Sequence, residues 1–177
     1  MINNILAPID GSEHANRAVK LAADLAAKYG ARLHLFHVLL EGGVPERLLK
    51  LSTKTPEQLQ PQTRWMVTDY DGWMAKGYHE MLTMATSNSQ PREILEDIAD
   101  KLLTQAREEA QAQGVEKVDL AHAAGSPAPQ ILNRAREVEA DTIVMGCRGL
   151  APIPELAVGS VTHKVQRVFP GTVITVR

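Results

Sequence analysis

Short apolar runs alternate along this chain with longer stretches whose apolar residues return every three or four positions. The alternation occurs on both sides of a central interruption. The first run, Asn4-Ile5-Leu6-Ala7-Pro8-Ile9-Asp10, closes in an acid followed by Gly11-Ser12, the pattern of a buried strand entering a turn. Ser12 is a natural helix N-cap. Ala15, Ala18, Val19, Ala22, Leu25, Ala26 and Tyr29 follow at helical spacing up to Gly30, which suits a left-handed C-cap. Arg32 to Leu40 (RLHLFHVLL) is apolar and too short for another helix of that kind, so it reads as a second strand. Strand, helix and strand over about 35 residues make a βαβ unit, parallel with a right-handed crossover.

The second half repeats the pattern. Glu93 to Gln113 carries Ile94, Leu95, Ile98, Leu102, Ala106 and Ala110 at helical spacing before Gly114, and Val118 to Ala123 reads as a strand. Gly125-Ser126-Pro127 makes a turn, and Pro129 is acceptable in a first helical turn. Ile131, Leu132, Ala135 and Val138 then give a helix before the strand Thr142 to Met145. Val161, Val165 and Val168 mark a last helix, and Thr172 to Val176 is a β-branched terminal strand. Five strands alternating with four helices predict an α/β fold, an open five-stranded parallel sheet with helices on both faces. At 177 residues, with 44% hydrophobic and 23% charged, the chain is expected to form one domain, 1–177, around a single core.

Residues 41–90 interrupt this order. Both Trp (Trp65, Trp73), two of three Tyr (Tyr70, Tyr78) and four of six Met (Met66, Met74, Met81, Met84) fall there. Linkers are polar, whereas such side chains favour burial. The segment reads as an insert within the domain that caps one end of the sheet, or as a surface for a protein partner or a lid over a ligand.

Nineteen Lys and Arg against 21 Asp and Glu leave a formal charge of −2, with no basic field for nucleic acid or an anionic membrane. Cys147 is the single cysteine; it excludes an internal disulfide and falls short of a zinc or iron-sulfur set, pointing to a reducing compartment. Met1 to Asp10 lacks the features of a secretory signal, and no window approaches the roughly 18 apolar residues of a membrane helix. A cytoplasmic protein is expected.

The most informative stretch runs from Ile143-Val144-Met145-Gly146-Cys147-Arg148-Gly149 to Gly159-Ser160-Val161. A strand releases into a glycine-rich loop, and a second glycine opens a helix. In an open parallel sheet the ligand crevice lies at the carboxyl ends of the strands, which is where this loop sits. Glycines let main-chain N–H groups converge on phosphate oxygens, and the helix start adds the positive end of a dipole. The dipole contributes roughly 0.3–2 kcal/mol and each charge-assisted N–H bond about 1.5–3, so several together suffice to hold a polyphosphate.

The spacing Gly146-x2-Gly149-x9-Gly159-Ser160, with Ile5 to Ser12 (ILAPIDGS), the strand reaching Val38, Gly125-Ser126-Pro127 and Asp141 to Gly149 (DTIVMGCRG), resembles the nucleotide-binding branch of the universal stress protein family. The resemblance covers roughly 1–40 and 91–177. It implies an adenine nucleotide alpha hydrolase-like, Rossmann-like architecture with ATP and Mg2+ held between the first strand's end and the glycine loop. By similarity, Asp10 lies near the ribose or a bound metal, Val38 offers main-chain groups to the adenine edge, and Gly146, Arg148, Gly149, Gly159, Ser160 and Val161 surround the phosphates. Ala7, Pro8 and Met145 complete the implied set. A homodimer through the terminal strand, 172–177, is implied as well. The spacer departs in character, for Pro152 and Pro154 stiffen it, and the Glu155 carboxylate repels phosphate if it points inward.

Other chemistry finds less support. No Gly-Lys-Ser/Thr and no G-x-G-x-x-G occurs. His34 and His37, three apart on a strand, face opposite sides, so the histidines are expected at the surface or hydrogen-bonded. Ser160 and His163 lack a G-x-S-x-G elbow, and Cys147 reads as a small loop-filling residue more readily than as a redox-sensitive thiol. No residue stands out as a general base. The function expected is therefore an ATP-binding regulatory or stress-response module. The two rivals are a slow ATP hydrolase or autophosphorylating protein using Asp10 or Ser160, and a nucleotide-free scaffold working through residues 41–90.

Overall fold

The computed structural model describes residues 2–39, 89–149 and 158–177. The aromatic and Met-rich insert, up to residue 88, and the spacer with Pro152, Pro154 and Glu155 lie outside the described residues. In chain order the elements are β1 (Asn4–Ile9), α1 (Glu13–Tyr29), β2 (Arg32–Leu39), α2 (Ser89–Ala112), β3 (Val118–Ala124), α3 (Pro127–Glu137), β4 (Thr142–Gly146), α4 (Ser160–Val168) and β5 (Thr172–Val176). Contacts group the chain into two units, Met1–Val38 with Leu102–Arg177, and Leu39–Lys101. In the second, the first half of α2 carries the one-turn ion pairs Arg92–Glu96 at 2.8 Å and Lys101–Asp97 at 3.6 Å.

The strands form one five-stranded parallel sheet of order β3-β2-β1-β4-β5. Ile9 stands opposite His37 across β1 and β2, and Leu6 opposite Ile143 across β1 and β4. Side chains alternate across a strand, so each sends its residues to two faces in turn. Ile5, Ala7 and Ile9 of β1, with Leu33 and Leu35 of β2 and Val144 of β4, pack against α1 and the Leu103, Ala106 and Ala110 stripe of α2. Leu6, Phe36, Val38, Ile143 and Met145 meet Ala128, Ile131 and Ala135 of α3 and Val165 of α4 on the other face. The chain winds outward from β1 to β3 and then in the opposite direction through β4 to β5.

α1 lies against the sheet through Ala15, Ala18, Val19, Ala22, Ala23 and Ala26. Small side chains let its backbone approach the strands closely, and enlarging any of them overpacks the layer at about 1–3 kcal/mol. Its ends match the sequence reading: the Ser12 hydroxyl accepts from the Ala15 amide at 3.1 Å, and Gly30 closes the helix at φ 65°. α2 starts at Ser89 rather than the expected Glu93. Pro91 then falls in the first turn, whose N–H groups have no intrahelical acceptor, so its missing donor costs nothing there. No helix among the described residues is long and apolar enough to cross a membrane.

Candidate functional site

The strand order reverses between β1 and β4, and the carboxyl ends of these two neighbours flank the point where a doubly wound sheet opens a crevice. Asp10 follows β1 directly. Its Oδ1 accepts the Ser12 amide at 2.9 Å, which folds the chain back into the first turn of α1. The Ser12 hydroxyl, buried while it caps α1, also donates to the Arg148 carbonyl at 3.5 Å. One serine thereby ties the exit of β1 to the loop after β4.

That loop is held as closely from its own side. A Cβ on Gly146 would stand 2.9 Å from the His14 and Ala15 backbone, so only glycine lets β4 end against the first turn of α1. At Gly149 the obstacle is the Asp10 carboxylate, whose Oδ2 would lie 2.6 Å from an added Cβ. Beyond the spacer, the Gly159 amide donates to the Cys147 carbonyl at 2.7 Å, so both ends of the glycine segment return to one place. Gly159 caps α4 without a side-chain hydrogen bond, and the first amides of that helix lack intrahelical acceptors.

Of the residues singled out in the sequence, Asp10, Gly146, Gly149 and Gly159 are brought together by these contacts. Arg148 joins them through its carbonyl and is half-buried. Ser160 is exposed and Val161 half-buried in the first turn of α4. Val38 ends the Met1–Val38 part of its unit, on β2. Ala7 and Met145 are buried within the two faces of the sheet. Their side chains belong to the core, leaving the main chain for any contact at the edge; Pro8 is half-buried on β1.

Three supports were not anticipated. The Thr162 hydroxyl donates to the Gly146 carbonyl at 2.9 Å and pins α4 to the end of β4. His14 Nδ1 lies 3.8 Å from the Cys147 sulfur, and Cys147 itself is 3% exposed, consistent with a loop-filling residue. His37 Nδ1 lies 2.8 Å from the Ile9 carbonyl oxygen. The hydroxyl of Thr162, three residues into a helix after glycine, was the available signal for the first; the others depend on which strands become neighbours.

The histidine expectation needs correction. His37 is buried and hydrogen-bonded, but His34, also buried, makes no hydrogen bond through either ring nitrogen among the described residues, although its Nδ1 lies 3.3 Å from Asp119 Oδ2. Burial pulls the His34 pKa below the ordinary imidazole range, against the attraction of Asp119 and with the help of Arg134 and Arg32. Burial also lowers His37, partly countered by its Ile9 bond and the Asp10 charge. No group of three or more His, Cys, Asp or Glu among the described residues is arranged to hold a metal ion.

A family model described as the universal stress protein family matches residues 1–177. The universal stress protein YxiE of Bacillus subtilis (strain 168) is 31% identical over 177 residues, covering all of both chains. Among solved structures, a universal stress protein in complex with cAMP superposes with a TM-score of 0.57 at 21% identity, covering 99% of this chain and 97% of the other. The universal stress protein from Archaeoglobus fulgidus in complex with dAMP gives a TM-score of 0.54 at 18% identity, covering 100% and 98%.

Proposed function

The chain belongs to the universal stress protein family, and on that premise we propose that it binds ATP with Mg2+ at the carboxyl edge between β1 and β4 and acts as a regulatory module of the stress response. The observation that carries this reading is the meeting of Asp10 with Gly149, where only the missing Cβ leaves room for the carboxylate. The two complexes with adenine nucleotides among the structural neighbours support the ligand class.

In this reading the main-chain amides of the segment Gly146-x2-Gly149-x9-Gly159-Ser160 and the start of α4 take the phosphates, with Arg148 adding charge. The main chain of Ala7, Pro8, Met145 and Val161 lines the seat, and Val38 meets the adenine. The donor chemistry suits Mg2+, which binds through one or two carboxylates and phosphate oxygens rather than an all-protein cage. Asp10 is the carboxylate at hand, and the ion when bound neutralises phosphate charge. The seat grips by fixed amides, which bind ground state and transition state alike, so any turnover is slow. The whole chain acts as one domain in the cytoplasm.

Isothermal titration of the full chain with ATP and Mg2+ tests the reading. Saturable heat with a matching thermal shift is expected; silence in both at millimolar nucleotide would leave a scaffold acting through residues 41–90. Loss of turnover on Asp10→Ala with binding retained would instead make the protein a slow hydrolase. β5 is an edge strand of the sheet, and an open edge pairs readily with another chain, so the proposal includes a twofold dimer through it. Removal of 172–177 is expected to give monomers or insoluble protein, and an unchanged dimer would place the contact elsewhere.

A further inference from the structure

His37 joins the ends of β1 and β2 by something other than the sheet ladder. It stands in register with Ile9, is 2% exposed, and its Nδ1 lies 2.8 Å from the Ile9 carbonyl oxygen. A carbonyl can only accept, so Nδ1 carries the hydrogen and donates it. Every other residue of β2 from Leu33 to Val38, His34 apart, is apolar. A leucine at position 37 would lack the donor.

The oxygen so held belongs to the peptide that links Ile9 to Asp10. Fixing that peptide fixes the direction in which Asp10 leaves the strand. Asp10 then spends Oδ1 on the Ser12 amide and presents Oδ2 to the Gly149 main chain. A buried bond, a peptide plane and a carboxylate are thereby connected in sequence, ending where strand β1 meets the glycine loop. We propose that His37 is a positioning residue of the nucleotide site: through its Nδ1–H bond to the Ile9–Asp10 peptide it holds the Asp10 carboxylate against Gly149, and it raises nucleotide affinity without touching the nucleotide.

The affinity half of this inference rests on the nucleotide reading above, whereas the geometric half does not. The test compares the full-length wild-type chain with His37→Leu, His37→Asn and His37→Gln. Asn places an amide donor near the position of Nδ1, while Gln reaches toward Nε2. Two quantities are measured, the Kd for ATP with Mg2+ and the 1H–15N resonance of the Gly149 amide without nucleotide. His37→Leu is expected to weaken ATP by about tenfold, because the Asp10 carboxylate must then be ordered on binding, and to displace the Gly149 resonance. His37→Asn is expected to restore both. A Leu variant that matches the wild type in both, with Asn the poorer, would overturn the proposal in favour of simple packing. Should the Leu variant fail to fold, Asn near the wild type and Gln impaired supports the proposal, and equality of the two overturns it. If the wild type binds no ATP, the nucleotide reading falls by itself, and the Gly149 resonance still decides: unmoved in the Leu or Gln variant, it refutes positioning.

Discussion

At Gly149 a single missing carbon decides whether two segments far apart in sequence can share one place. Gly149→Ala sets a Cβ 2.6 Å from Asp10 Oδ2, and because the atom met is the end of a short side chain, the carboxylate swings away before the backbone moves. The substitution is therefore expected to cost about 1 kcal/mol or less in stability yet at least tenfold in nucleotide affinity, a split read by urea unfolding beside titration calorimetry. His34 presents the opposite case, a buried polar ring with no hydrogen bond among the described residues. His34→Leu is expected to raise stability near neutral pH by about 1 kcal/mol, since the burial cost of an unsatisfied group disappears. The pH dependence has a definite sign. Burial lowers the folded-state pKa of both His34 and His37, so below about pH 6.5 the unfolded chain takes up protons that the folded chain refuses. Wild-type stability should fall as pH drops through that range, and the fall should be shallower in His34→Leu, as thermal melts between pH 7.5 and about 5 will show.

Elements carry the second level of the account, and here the amino edge of the sheet matters as much as the carboxyl edge. Asp141, just before β4, accepts the Asn3 and Asn4 amides at 2.7 and 3.2 Å and the Thr142 hydroxyl at 2.9 Å, while its carbonyl takes the Thr172 amide at 3.0 Å. It thus aligns the starts of β1, β4 and β5. Burial pushes its carboxyl up, but these three donors and the N-terminal charge together outweigh that and hold it below the usual carboxylate range. A lowered pKa means stability present above about pH 4 and lost as pH falls through the folded value. Asp141→Asn is expected to cost about 1 kcal/mol at pH 7, modest because solvent screens the group, and to unfold less steeply in acid. Between α3 and β4, Glu139 sits at φ 51° and is exposed. Glu139→Gly should raise stability by about 0.5–1 kcal/mol in urea titration, since glycine adopts this conformation without strain. The elements themselves were legible because capping and periodicity are local: Ser12, Gly30 and the alanine stripe place α1 almost to the residue. α2 starts earlier than the expected Glu93, with Pro91 in a first turn where a missing donor costs nothing.

Across the whole molecule, the order β3-β2-β1-β4-β5 sets the carboxyl ends of β1 and β4 side by side where the winding reverses. The glycine spacing and Asp10 could be read in advance, for they are written in short segments. The contacts of Ser12 with Arg148 and of His37 with Ile9 could not, because each joins residues whose proximity exists only after the strands have found their order. The central claim is that the β1–β4 opening seats an adenine nucleotide on main-chain amides. Titrating ATP with Mg2+ into 15N-labelled protein and following the amide resonances tests it most directly. Saturable shifts concentrated at Gly146, Gly149, Gly159 and Ser160 are predicted; saturation with those four unmoved, or no shift anywhere at millimolar nucleotide, would contradict it.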